Sequence, residues 1–431
     1  MNFIKNTSFT QKYLIFLLLV CLSSLLFCYF FSNKFGQIID NESNMVFKNI
    51  NFGNGPLIHN LMENGIYSSK FLNGVDFVLQ KLPILPLLIF LISKISTNFY
   101  IIIIIKNLIT FSFIFWMIVL YLKSYNLNSN YLFLFLAIFL IPYNLFTSLN
   151  FEYADNLVAI LLPSLFLSLV SKMKQKYTIS SFIIFILYLT KTSMFFVSLG
   201  IPLIILIFEK KKYFIHRKKL IFLGPILAIL IWSSFSYLKT ERIAIGTNSL
   251  TINSLGLTLA LDKRFFDYYP DKSMDILFAK IEIPKKLNNE WKIFDFYKKK
   301  NKAHLSNKEN LKNYLMTFPK KILIILYHVR RDSAYPDENG NFNNRIRYSL
   351  ILNKFFINVS IILSLYKIIT SIKNKKTFKD DFIFFSMISL SLLPLIAGWA
   401  TGKHLVPISI LSYFYLVHKN LIYKSTKKTN F

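Results

Sequence analysis

The residues of this 431-residue chain best suited to chemistry are carboxylates and cations at the ends of apolar runs. Asp40 lies in a polar stretch after the first such run. Glu152 and Asp155 lie in LNFEYADNLVAILL, at the mouth of a later run. A carboxylate beside a hydroxyl nucleophile can act as its general base. Asp155 would also be favourable at a helix N-terminus on dipole grounds alone. The cations fall into four groups. Lys81 precedes a proline-opened apolar run, Lys191 sits between two short runs in LYLTKTSMFF, Lys403 and His404 open the last run in GWATGKHLVPISIL, and Arg330 and Arg331 follow the run 318–329. Such groups suit the binding of a phosphate, arginine bidentately. Each has a competing reading: Lys191 as a stem snorkelling to the interface, Lys403 and His404 as helix anchors, the arginines as partners of anionic headgroups. No Walker loop, GxSxG, HExxH or metal-spaced Cys/His set is present. The chemistry therefore calls for no cofactor, and leaves room for a divalent metal without requiring one.

The elements that must position these residues are membrane helices. The chain is 54% hydrophobic, outside the range of soluble globular proteins. Its apolar residues fall in blocks at 13–31, 100–122, 131–148, 157–170, 179–189, 194–208, 220–238, 349–370, 382–399 and 405–417. A hydrocarbon core of about 30 Å takes about 20 helical residues. Several blocks reach that length; the shorter ones do so only with flanking polar residues. The first block is long for a secretory signal and lacks a small-residue cleavage site, which predicts an uncleaved first span. Cys21 and Cys28 lie on that one helix, about 10 Å of rise apart and too far for a disulfide. The net charge of +30 does not indicate nucleic acid, because many of the 51 Lys and Arg flank the apolar blocks, where they set topology.

Lys5 and Lys12 before the first block predict a cytoplasmic N-terminus. The block 82–95 is short and opened by Pro83 and Pro86. If it lies at the interface or enters part-way, the basic clusters around Lys123, Lys174, Lys211, Lys375 and Lys427 all become cytoplasmic. The expectation is an all-α polytopic fold of ten spans with both termini inside and interfacial helices in the first outer loop. It divides into an N-terminal transmembrane module at 1–238, a small α-rich extracytoplasmic insertion at 239–348 and C-terminal transmembrane helices at 349–431. Within the insertion, the run 318–329 reads as an interfacial helix.

Four places in the chain resemble the type C membrane glycosyltransferases, in particular the protein-mannosyltransferase-like and aminoarabinose-transferase-like group. HNLMENGIYSSKF followed by KLPILPLLIFLISKI is similar to that group's first-loop motif, with Gly65, Tyr67, Lys81, Pro83 and Pro86 at matching positions. LNFEYADNLVAILL resembles its second-loop acid before a span, ILYLTKTSMFFVSLGIPLII its Thr-Lys/Arg helix turn, and GKHLVPISILSYFYL the opening of its last span. One departure stands out: where the group usually carries an Asp about eleven residues before the first-motif Gly, this chain has Asn54. The resemblance implies transfer of a sugar from a polyprenyl-phosphate carrier to a hydroxyl of a lipid, glycan or protein, at the outer face of a bacterial inner membrane. The base would be Asp40, then Glu152 or Asp155. Lys81, Lys191, Lys403 with His404, and Arg330 with Arg331 would hold the departing phosphate. Two other readings fit a many-span chain: a polysaccharide polymerase or ligase using polyprenyl-diphosphate donors, and a transporter or flippase. Against the last, the sequence has no internal repeat and no paired broken spans.

Overall fold

A computed structural model of the chain describes residues 9–34, 47, 54–70, 76–79, 81–208, 219–244, 246, 289–327, 344–374, 378–397 and 402–428. The described residues are helical throughout, apart from turns and a two-stranded antiparallel ladder of β1 (Ser69–Lys70) and β2 (Asp76–Phe77). Six of the described helices are long and apolar enough to cross a bilayer. They lie in α1 (Phe9–Lys34), α4 (Phe99–Ser124), α10 (Leu223–Thr240, entered through a 3-10 turn from Leu220), α13 (Asn344–Lys373), α14 (Lys379–Ala397) and α15 (Gly402–Lys428). Leu14, Leu18, Leu22 and Leu26 on α1, and Ile351, Phe355 and Ile362 on α13, are exposed. Apolar stripes this long are untenable against water and suit lipid. The chain is an integral membrane protein.

The apolar run 131–148 does not form one straight span. It is α5 (Tyr131–Leu136, continued as 3-10 turns to Leu140) followed by α6 (Pro142–Leu149), bent by 87° at Ile141. Pro142 supplies no N–H to the preceding turn, and Ile141 before it is extended at φ −66°, ψ 121°. The run 318–329 also differs from expectation: it belongs to the longer α12 (Lys308–Tyr327), which starts ten residues earlier and contains Pro319. The run 82–95 contributes only α3 (Ile84–Ser93), ten residues and about 15 Å long, too short to cross.

The core is built around α7 (Asp155–Val170), all sixteen of whose residues are buried. It packs against α15, α8 (Lys176–Tyr188), α4 and α6. At about 24 Å it is shorter than a bilayer core, which a fully enclosed helix tolerates because it need not reach lipid at either end. A short central helix among longer ones leaves its N-terminus recessed. Neighbouring helices are tied by buried polar groups. Asn144 of α6 and Asn353 of α13 exchange side-chain hydrogen bonds at 3.0 and 2.6 Å, and Ser409 of α15 donates to Asn353 at 2.9 Å. Gly224 brings α10 onto α8, where a Cβ would lie 2.0 Å from the Ser181 carbonyl oxygen.

α11 (Glu290–Ser306) precedes α12 and is fastened to the segment 76–79. Both carboxylate oxygens of buried Glu290 accept backbone N–H groups of Val78 and Leu79, the closest at 2.8 Å. Trp291 packs on the cluster of Leu79, Leu82, Tyr188, Leu189 and Trp232. α12 crosses the end of α14, where Tyr314 Oη donates to Ala397 O at 2.6 Å and Lys321 Nζ to Ile396 O at 3.1 Å.

Candidate functional site

The recessed end of α7 carries the site. Asp155, the first residue of that helix, is 3% exposed. Its Oδ1 receives Lys191 Nζ at 2.5 Å and its Oδ2 lies 3.9 Å from His404 Nε2. Three elements supply the three groups. Lys191 is the extended residue, φ −152°, that links α8 to the Thr192–Ile207 helix (3-10 at Thr192–Met194, then α9, Phe195–Phe208). His404 is on the first turn of α15. A small cleft lies against them, with Ser193 and Ser391 on its wall and Leu162, Leu395 and Ile408 among its apolar lining.

The loop that presents Asp155 is held from below. Lys106, fully buried on α4, donates from Nζ to the carbonyls of Leu149 and Asn150, 3.0 Å each. These are the carbonyls of the last residue of α6 and of its C-cap, where a cation is favourable. Asn150 Oδ1 accepts the Glu152 N–H at 2.6 Å, and the Asn156 side chain donates to Asn150 O. Lys106 lies seven residues, about 10 Å, along α4 from Phe99, so this loop sits below the end of the longer helix. Sequence reading passed over Lys106 as one charge in an apolar run. The signal was present: Lys106, Asn107 and Thr110 form one polar patch inside a membrane span, and such groups tend to be functional or paired.

Glu152 is 1% exposed and accepts from Asn150 Nδ2 at 3.3 Å. It does not line the cleft. Its backbone carbonyl receives the N–H of Asn54 at 2.7 Å, so the first and second loops do meet, at the position where the resembling group carries its acid. Tyr153 stands between the two acids; burial raises its phenol well above the usual range, and Glu152 and Asp155 push it the same way. Lys81 is placed through its carbonyl, which accepts from Tyr67 Oη at 2.9 Å, and it does not line the cleft. Asp40, Arg330 and Arg331 lie outside the described residues. Lys403 lies on the first turn of α15, but its side chain is outside the described set. Thus Asp155, Lys191 and His404 come together, and Glu152 sits beside them behind the loop. Among the described residues no group of three or more His, Cys, Asp or Glu side chains could hold a metal ion.

Gly246 lies close to Thr192, where a Cβ would come within 2.6 Å of Thr192 Cγ2. The Ile84 N–H donates to Leu189 O at 3.3 Å, bringing α3 to the same end of the bundle. No family model, curated protein or solved structure matches the chain.

Proposed function

We propose that the chain is a membrane glycosyltransferase. It moves a sugar from a polyprenyl-phosphate carrier to a hydroxyl on a lipid, glycan or protein at the extracytoplasmic face of a bacterial inner membrane. One observation carries the reading: a buried carboxylate and a histidine from two helices and a lysine from the link between two others converge at the N-terminal end of the central helix. The acceptor oxygen attacks the anomeric carbon as the bond from that carbon to the carrier phosphate breaks. Asp155 takes the acceptor proton, and Lys191 and His404 neutralise the departing phosphate. A single displacement inverts the anomeric centre. The carrier's tail stays in lipid, which is why the reaction belongs at membrane depth.

The topology that fits this reading has ten crossings. They are the six long helices, the bent pair at Tyr131–Leu149, and the three shorter helices Asp155–Val170, Lys176–Tyr188 and Thr192–Ile207. α3 then lies at the outer interface, and both termini are cytoplasmic. Two contacts support the scheme: Lys12 bonds Ser129 and Asn130, all of which it assigns to the inner face, and Asp155 bonds Lys191, both of which it assigns to the outer.

The deciding assay supplies labelled polyprenyl-phosphate sugars to membranes containing the wild-type chain or Asp155→Asn. Label should enter an acceptor only with the wild type. Identical labelling in both membranes refutes the proposal.

A further inference from the structure

α12 is twenty residues long, yet it is not among the described helices apolar enough to cross a bilayer. One side of it, with Thr317, Lys321 and Ile325, is buried. Another side carries Leu311, Leu315 and Ile322, which are 37, 50 and 37% exposed. Spacings of four and seven residues put these three on one face. Met316 and Leu323 beside them are exposed as well. A stripe of this kind does not stay bare in water. The bonds from Tyr314 and Lys321 to Ala397 O and Ile396 O set the helix at the level where the α14 span ends. The charges on this hairpin are one-sided. α11 and α12 together carry nine lysines, seven of them exposed, against three acids. Glu290 is taken up by backbone N–H groups and Asp295 pairs with Arg242 at 2.8 Å, so the outward field is positive. Lys308 and Lys312, both exposed, stand three residues before Leu311 and Leu315. At that spacing each ammonium lies beside an apolar side chain on the same face.

We propose that α12 is an anchoring surface for anionic phospholipid in the leaflet where α14 ends. Leu311, Leu315 and Ile322 lie among the acyl chains, and Lys308 and Lys312 sit on headgroup phosphates. Lysine stems bury along apolar surface while their ammonium groups stay at headgroup level. A helix with one apolar face edged by lysines is stable in that plane. The occupant is a bilayer and not a polyanion in water, because an aqueous partner would leave the leucine stripe uncovered. It is anionic lipid and not lipid in general, because each lysine near a charged bilayer surface favours binding by about fivefold. Lys298, Lys299 and Lys302 of α11, all exposed, extend the same positive field. The surface is independent of what the chain transfers, since neither Lys308 nor Lys312 lines the cleft beside Asp155.

The test uses the purified full chain with Cys21→Ala, Cys28→Ala and Leu315→Cys, labelled with bimane and placed in phosphatidylcholine nanodiscs. Lipid with a nitroxide on its acyl chain, either phosphatidylglycerol or phosphatidylcholine, is included in increasing fraction. Nitroxide quenches the label only at close range. Both lipids should quench, because position 315 lies among acyl chains. Half-quenching should come at about fivefold lower fraction of phosphatidylglycerol, the worth of one lysine at an anionic surface. Lys308→Gln with Lys312→Gln should bring the two curves together. High salt should do the same without any substitution in the lysines. No quenching by either lipid puts α12 off the bilayer and overturns the proposal. Equal quenching by the two lipids in the lysine-bearing chain at low salt overturns the anionic partner. A preference that survives the double lysine variant overturns Lys308 and Lys312 as its source.

Discussion

α15 carries a polar network near each end, built from His404 and from His418, fourteen residues and about 21 Å apart. At the His418 end the groups satisfy one another. His418 is 0% exposed and shares hydrogen bonds with Tyr121 Oη at 2.6 Å and Asp380 at 3.2 Å. Asp381 accepts from Tyr415 Oη at 2.6 Å and pairs with Lys419 at 2.7 Å. Phe166 and Phe384 close over the rings of His418 and Tyr415, leaving it tightly packed. At the His404 end the histidine stands 3.9 Å from its acid, two buried hydroxyls lack partners among the described residues, and a cleft opens beside them. One network is packed under aromatic rings and holds helices together; the other opens on a small cleft. Buried charge alone does not separate structure from function in a membrane protein.

That contrast can be broken at four places. The largest effect belongs to Asp155→Asn, which keeps the shape and removes the basicity. Sugar transfer should fall about 10²–10⁴-fold with little change in the unfolding temperature. Retention of full transfer would make Asp155 a helix-end fixture like its counterparts at the other end. Next comes Lys106→Met, which leaves the Leu149 and Asn150 carbonyls without their donor and loosens the loop that aims Asp155. A displacement of about 1 Å at a reacting group can cost about 10²-fold, so turnover should drop by up to that factor, with Lys106→Arg restoring part of it. If turnover stays at wild-type level, the loop does not need its cation.

The third break is at the saturated end. Asp381→Ala removes the partner of both Tyr415 and Lys419 and should lower stability by about 1–3 kcal/mol, read from thermal unfolding in detergent, while transfer per folded molecule is unchanged. A loss of transfer without a loss of stability would mean that this network also serves the reaction. The smallest effect is one of pH. Lys321, 2% exposed where α12 crosses α14, is lowered by burial to about 8. Its value in the unfolded chain is near 10.4, so between those values the unfolded chain binds more protons. Stability from this group therefore rises as pH increases from about 8 towards 10 and is flat below. The unfolding temperature should climb over that window in the wild type and less in Lys321→Met; identical profiles would exclude Lys321 as the cause.

Much of the architecture is legible in the sequence, because apolar runs must become helices and their lengths are set by the bilayer. The described part of each predicted run lies in a helix or helix pair, although the run 318–329 belongs to the longer α12, and α3 is short, as expected of a run opened by Pro83 and Pro86. The 87° bend at Pro142 is not legible. Pro163, Pro202, Pro394 and Pro407 all lie inside helices that the chain does not break, so a proline alone does not announce a hinge. For the site, Asp155, Lys191 and His404 could be chosen as charges at the mouths of runs, yet nothing in their spacing says that they touch across 36 and 249 residues. Lys106 was hidden by the apolar run around it, since its partners lie 43 and 44 residues away. Ser193 and Ser391 carry no signal at all in sequence; a serine is distinctive only once its hydroxyl is seen buried and unpaired.

The Lys106 contact also has a consequence for how the chain is made. A ribosome feeding the membrane delivers α4 before α6, so the lysine is inserted while the carbonyls that will receive it are still 43 residues from being synthesised. At about 5–20 residues per second the ammonium group waits for a few seconds. During that interval its placement in lipid costs about 2.5–3.5 kcal/mol if it lies near the centre. The isoleucine-rich start of α4, FYIIIII, is what keeps the segment in the bilayer until its partner arrives. Trimming those isoleucines should therefore show first as failed insertion in the cell, before any change in the finished protein.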